Sequence, residues 1–328
     1  MPVSKHLLEW GVRASRPIVG VCFLGVASVA SAQSFSFGAF GDMPYGAEQL
    51  AQFPLLVRSL ESQDIEWVIH VGDIKAASTP CTEDLLKTRI SDIDAIRHPV
   101  IYIPGDNEWT DCWYQTESSP LQWLSVLRSI AYPTYGESLG ESGMTVAYQS
   151  AGSESTEYPE HQSWVRYNVH FTTLHFVGSD NGLADFPGRT DEHGTEVSQR
   201  IDAAVSWLNQ SFDKAESTQA TAMVISTHAN PFPESTEPNP AYDIQPFADF
   251  QETLARRAIE FGKPILLLHG DTHTFRFDRP LTLPETGERV ENVFRLEVFG
   301  APTVGWVEVN VNTNSADVFS ISPRVLPD

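Results

Sequence analysis

The feature that most constrains this chain is a series of short apolar runs, each closed by Gly-Asp and each followed by an amphipathic stretch. Phe35–Gly41 reads as a strand and Gln49–Leu60 as a helix. Trp67–Val71 is rich in β-formers and stops at Gly72-Asp73. Glu83–Ile96 has helical spacing and is closed by His98-Pro99. Val100–Ile103 is a strand ending in Pro104-Gly105-Asp106, and Pro120–Ile130 is again helical. This β-α-β-α-β-α order predicts an α/β fold with a mostly parallel sheet and helical crossovers. Farther on, Trp164–Val169 and Phe171–Gly178 read as a hairpin, and Val197–Ala215 as a helix with Ile201, Val205 and Leu208 on one face. Thr221–Thr227 and Ile265–His269 read as strands around a helix at Phe247–Phe261, and three strand-like runs follow: Val293–Phe299, Gly305–Val311 and Asp317–Ile321. The region of about 132–160, rich in Gly, Ser, Glu and Tyr, reads as an inserted loop or lid. No repeat or linker divides residues 33–328, which form one expected domain.

Residues 1–32 read as an export signal. Lys5, Arg13 and Arg16 make a basic start, Ile18–Ala30 is a short apolar run, and Ala30-Ser31-Ala32 has the small-x-small form of a cleavage site. The run is too short to span a bilayer, which takes about 20 residues. The expected location is periplasmic or secreted. Export would remove Cys22 and leave Cys81 and Cys112, which in an oxidising compartment are expected to pair. The formal net charge of −22 carries no basic patch, which argues against binding a nucleic-acid backbone or an anionic membrane. It does not argue against a small anionic substrate, because a bound metal ion inverts the local field.

Polar residues recur at the C-terminal ends of the expected strands: Gly41-Asp42, Gly72-Asp73, Gly105-Asp106-Asn107, Thr227-His228 and Gly270-Asp271-Thr272-His273. Ligands of α/β folds bind at that edge of the sheet. One Gly-Asp is an ordinary turn. Four of them after apolar strands, with two histidines in matching places, point to one site. Asp42, Asp73, Asp106 and Asp271 stay ionised together only with cations among them. Two divalent ions would balance the four charges, with His228 and His273 as nitrogen ligands. The glycine before each aspartate is expected to supply the sharp backbone turn.

In order, spacing and strand context these motifs resemble the calcineurin-like metallophosphoesterase family, over essentially the whole of Phe35 to the closing strands. The chain looks most like an exported bacterial branch of that family, whose motifs read GDMPY, GDIK, GDNEW and HGDTH. The resemblance implies a four-layer α-β-β-α sandwich with two mixed sheets. It implies two divalent ions, one held by Asp42, Asp73 and His273 and the other by Asp73, Asp106, His228 and Asp271, with Asn107 as the alternative to Asp106. Three motifs depart from the family pattern, at four positions: Pro44, Asn107 and Asp271 stand where it has histidines, and Asp106 where it has asparagine. Added carboxylates favour oxygen-seeking ions (manganese, iron, magnesium or calcium) over zinc. The tyrosine of purple acid phosphatases would fall at Ala76, which excludes that subtype.

The resemblance implies hydrolysis of a small phosphate mono- or diester by a metal-bridging hydroxide, with Asp73 as the bridging ligand. Asn107 cannot act as an acid, so His269 and Glu108 are the candidate proton donors. Lys75, Asn107, Arg276 and Asn181 are the candidate phosphate contacts. Tyr45, Trp109 and Trp113 flank the motifs and read as wall residues or as a surface that stacks on an organic group. His70 and His175 read as core histidines. The alternative is a metal-binding protein of the same fold without hydrolytic activity, which the three missing histidines motivate.

Overall fold

A computed structural model describes residues 1–3, 34–150, 158–232 and 245–327. The export segment expected over 1–32 lies, from residue 4 on, outside the described residues. All elements belong to one unit, Ala32–Asp328. In chain order they begin β1 (Ser34–Phe40), α1 (Gly46–Glu61), β2 (Val68–His70), α2 (Glu83–Asp94), β3 (Val100–Tyr102), α3 (Cys112–Thr116) and α4 (Pro120–Ala131). Next come β4 (Ala147–Gln149), β5 (Tyr158–Arg166), β6 (Val169–Thr173), the single turn α5 (Gly178–Asn181), α6 (Asp191–Ser217) and β7 (Ala222–Ser226). The chain closes with α7 (Ala248–Phe261), β8 (Ile265–His269), β9 (Arg276–Asp278), β10 (Val293–Glu297), β11 (Gly305–Asn312) and β12 (Phe319–Val325).

The two mixed sheets that the resemblance implied are present, whereas the mostly parallel pairing read from the β-α order holds only in part. One runs β12-β11-β1-β2-β3 and the other β4-β5-β6-β7-β8-β10-β9. Parallel pairing is confined to β1-β2-β3 and to β6-β7-β8-β10, and the remaining pairs are antiparallel. Three apolar cores define four layers. Phe35, Phe37, Ile69, Val71, Phe171, Val224 and Leu266 meet between the sheets. Leu56, Leu60, Leu86, Ile90 and Leu124 seal the first sheet under α1, α2 and α4. Leu208, Phe212, Phe250, Leu254 and Ile265 seal the second under α6 and α7.

Strand periodicity assigns the layers. In β8, Leu266 and Leu268 face the inter-sheet core, while Ile265 and Leu267 face the helices. A strand buried on both faces therefore reads as a continuous apolar run. Burial of each such side chain contributes roughly 1.5–3 kcal/mol.

The region of about 132–160 is partly built into the fold. Leu139 bridges to Val100, β4 forms the sheet edge, and β5 begins at Tyr158. The last strand lies farther along than expected, because Pro323 is accommodated on an edge strand.

Glu160 is fully buried and pairs with Arg128 and His175. Arg128 Nε donates to Oε2 at 3.2 Å, its Nη2 donates to Oε1, and His175 Nδ1 lies 2.8 Å from Oε1. Burial would raise the carboxyl pKa, but Arg128 and His175 outweigh it and hold it well below the usual range. A depressed carboxyl pKa gives stability that is present above the unfolded value of about 4.3 and is lost as pH falls below it. Glu160→Gln is expected to destabilise the chain by about 3 kcal/mol at pH 7 in urea unfolding, with the gap closing below pH 4. A gap that is absent at pH 7, or constant with pH, would contradict this role.

Candidate metal centre

The five expected strand-end motifs meet at one edge. His228, after β7, is at the centre: its Nε2 lies 3.5 Å from Asp73 Oδ1, 3.5 Å from Asp106 Oδ1 and 3.8 Å from Asp271 Oδ1. The His228 side chain is fully buried, and its Nε2 has no hydrogen-bond partner. These separations are too long for hydrogen bonds, yet they suit ligands that share one ion at about 2.1 Å. His228 Nδ1 donates to Val71 O at 2.6 Å, and His273 Nδ1 donates to Ala301 O at 2.8 Å. Each bond fixes its ring and turns Nε2 towards the cluster, the arrangement that commonly supports a metal-bound imidazole. His273 Nε2 lies 3.7 Å from Asp42 Oδ1. Asp42 is completely buried and its Oδ2 is also without a partner. Two groups of side chains that could hold a metal ion, Asp42–Asp73–His228 and Asp106–His228–Asp271, each gather their oxygen and nitrogen atoms within 4.8 Å.

The electrostatics favour cations here. Burial pushes the pKa values of Asp42 and Asp73 well above the carboxylate range and that of Asp271 up to about 7. Burial would also raise Asp106, but His228 and the Ser179 hydroxyl hold it low. Burial would lower His228, yet Asp73, Asp106, Asp271 and Asp42 hold it well above the ordinary imidazole value. The proton on His228 and a metal ion thus compete for the same place. Four carboxylates and two imidazoles form a donor set suited to a divalent ion.

The backbone pays for this convergence in strain. Asp42, Asp73, Asp271 and His273 have φ of 53°, 59°, 77° and 59°. Left-handed backbone at non-glycine residues costs about 1–2 kcal/mol each. The left-handed turn assigned to the preceding glycines is therefore made at Asp42, Asp73 and Asp271 themselves; of the glycines only Gly72, at φ 98°, shares it, and at Gly105-Asp106 neither residue is left-handed. The other glycines provide clearance. A Cβ at Gly105 would overlap Asp73 Oδ1, and one at Gly270 would overlap Asp42 Oδ2. A Cβ at Gly178 would come within 2.5 Å of both Asp106 Oδ2 and Asp271 Oδ1.

The other expected residues are placed unevenly. Asn107 joins the cluster: its backbone N–H donates to Asp73 Oδ1 at 3.1 Å and its Nδ2 to Asp73 Oδ2 at 2.5 Å. Glu108 lies behind it, where Oε1 accepts from Tyr102 Oη at 2.6 Å, Gly105 N at 2.7 Å and Asp73 N at 3.1 Å. Lys75 is buried beside these acids, with Nζ 3.3 Å from Ala76 O. Arg276 Nε lies 2.9 Å from Glu297 Oε2. His269 is fully buried, its Nδ1 donates to Gly270 O at 2.9 Å, and burial lowers its pKa to about 3. Asn181 is not brought to the cluster. Its Oδ1 accepts from Arg200 Nη1 at 2.6 Å and from Val177 N at 3.2 Å.

Cys81 and Cys112 form the expected disulfide, with Cα atoms 5.4 Å apart. Both sulfurs sit within 3.9 Å of Asn107 O, so the bridge braces the loop that carries Asp106 and Asn107.

Sequence reasoning missed the contacts of three residues. Ser179 Oγ lies 2.9 Å from Asp106 Oδ2 and 2.8 Å from Asp111 Oδ1. Tyr45, read as a wall residue, donates its hydroxyl to Asp73 Oδ2 at 2.8 Å. Asn230 N donates to Asp271 Oδ2 at 3.2 Å. The available signal was position, since Tyr45 and Asn230 lie within three residues of Asp42 and His228.

No family model matches the chain, and no curated protein matches it. Among solved structures, that of PhoD superposes with a TM-score of 0.54 at 10% identity, covering 90% of this chain and 72% of that one. A purple acid phosphatase, PPD1 of yellow lupin seeds, gives 0.47 at 13% identity over 90% of this chain and 54% of that one. A phosphatase of Mycoplasma pneumoniae gives 0.39 at 10% identity, covering 90% and 94%. The likeness to PhoD shows the fold, a metallophosphoesterase-like sandwich. The other two lie below a TM-score of 0.5 and carry no further argument.

Gly105→Ala is expected to lower manganese affinity at least about tenfold in equilibrium dialysis, because the new methyl displaces Asp73. Unchanged affinity in a folded variant would contradict the role given to this close approach.

Proposed function

We propose that this chain is an exported, metal-dependent phosphoric ester hydrolase acting on a small phosphate mono- or diester. The observation that carries this reading is the buried, unpartnered His228 Nε2 between oxygens of Asp73, Asp106 and Asp271. Asp42, Asp73 and His273 would hold one divalent ion, and Asp73, Asp106, His228 and Asp271 a second, with Asp73 shared. Such ions, when bound, supply Lewis acidity towards a water and a phosphoryl oxygen.

The chain's own residues then bind and orient. Val71 O and Ala301 O hold the two imidazoles in the ligand orientation. Glu108 fixes the backbone of Asp73 and Gly105, which makes it a positioning residue. Asn107, in reach of Asp73 Oδ2, is the side chain best placed to donate to a phosphoryl oxygen. Lys75 and Arg276 balance charge beside the cluster. Asn181, held by Arg200, steadies the turn from which Ser179 reaches Asp106. The disulfide suits an oxidising compartment. Among the described residues, no helix is long and apolar enough to cross a membrane.

Of the donors expected from the sequence, none is poised to protonate a departing alkoxide. Asn107 cannot titrate, burial holds His269 near pKa 3, and Glu108 Oε1 accepts three hydrogen bonds. Esters of acidic phenols, whose leaving groups need no proton, are therefore the preferred substrates. The second reading, a metal-binding protein without turnover, rests on the same lack of an acid.

Full-length protein with saturating manganese is expected to hydrolyse aryl phosphates far faster than alkyl phosphates. Asp73→Asn should reduce kcat/KM by more than about a hundredfold. Full metal occupancy without turnover on aryl mono- or diesters would favour the second reading, and an active Asp73→Asn protein would remove the bridging role.

A further inference from the structure

Asp271 and His273 are assigned to different ions, yet both lie in the loop that joins β8 to β9. Those strands are not neighbours. β10 stands between them, parallel to β8 and antiparallel to β9. The loop therefore crosses the tip of β10. The register puts Glu297 at that tip, opposite His269 on one side and Arg276 on the other.

Glu297 is fully buried. Its Oε1 accepts from Thr272 Oγ1 at 2.6 Å and from Thr274 N at 2.8 Å, one on each side of His273. Its Oε2 lies 2.9 Å from Arg276 Nε, but that N–H donates to Thr274 O at 3.3 Å, so the contact is ionic and Oε2 has no hydrogen-bond partner. A buried carboxylate is costly unless it is bonded, and both hydrogen bonds that Glu297 accepts come from the crossing loop. The loop needs such a hold, because Asp271 and His273 have φ of 77° and 59°. Residues strained in this way persist where their surroundings over-determine them. Asn230 N and Ala301 O each hold one ligand side chain, Asp271 and His273 respectively. Glu297 ties the two ligand positions to each other, through the residue between them and the residue after.

Resting on the metal reading above, we propose that Glu297 is a positioning residue for both ions. It sets the spacing of Asp271 and His273 by clamping Thr272 and Thr274, and it touches neither ion. Loss of an unshared ligand weakens one site, whereas loss of the clamp loosens both together.

The test is manganese binding to the full-length protein by equilibrium dialysis, with the fold followed by circular dichroism. Wild type is expected to bind two ions. Glu297→Ala should weaken both sites at least about tenfold, as is usual for a residue that orients ligands. Glu297→Gln, whose side-chain oxygen still accepts from Thr272 and Thr274, should recover most of that loss. Thr272→Val removes one donor and leaves β10 untouched. It should weaken both sites too, and it decides the matter if Glu297→Ala does not fold. A residue that only stabilised the sheet would lower the melting temperature and leave both affinities unchanged. Wild-type affinity in folded Glu297→Ala or Thr272→Val, weakening confined to one site, or a Glu297→Gln protein as weak as Glu297→Ala overturns the proposal and leaves the metal reading intact. A folded wild type that binds no ion overturns both.

Discussion

Like charges gathered out of water are the constraint on which the rest of this structure depends. Asp42, Asp73, Asp106 and Asp271 are drawn from loops up to 229 residues apart and share one buried imidazole, that of His228. Buried carboxylates without compensation either take up protons or collect cations. The shifts follow that rule: burial raises Asp42, Asp73 and Asp271, while their charges raise His228. Such an arrangement is expensive for a folded chain, and its backbone is strained as well, with left-handed φ at three of the aspartates and at His273.

The two-sheet architecture makes the convergence possible. β1, β2 and β3 present Asp42, Asp73 and Asp106 from one sheet. β7 and β8 present His228 and Asp271 from the other. The chain crosses from the second sheet to the first between β10 and β11, and there Ala301 O holds His273 while Ala301 N donates to Asp42 O at 3.2 Å. The inter-sheet core fixes the spacing of the two edges. At the rim, the Cys81–Cys112 bridge adds roughly 3–4 kcal/mol in the chain-entropy model and sits against Asn107. Rigid placement of this kind is what lets a site built on loops hold its geometry.

Much of this was legible in the sequence because the signals were local. Strands β1, β2, β3, β7 and β8 announce themselves as apolar runs with a polar residue at the tip, and helices such as Val197–Ala215 by their spacing. The assignment of strands to sheets was not legible. β8 buries both faces, so its sequence carries no mark of which layer it contacts. The three-residue strands β4 and β9 are too short to show a period. At the site, the side chains that cluster could be named from the polar strand tips. The hydrogen-bond partners could not: Ser179 reaches Asp106 across 73 positions, and Glu108 turns its carboxylate onto backbone rather than outward. Tyr45 was seen beside the motif, but the direction of its hydroxyl is a tertiary fact.

The claim at the centre is that this cluster exists to hold ions. Elemental analysis of the protein purified from its native source without chelator tests it most directly. The account predicts close to two equivalents of an oxygen-seeking divalent metal per chain, removable only by strong chelation. A folded native protein carrying no stoichiometric metal would contradict it.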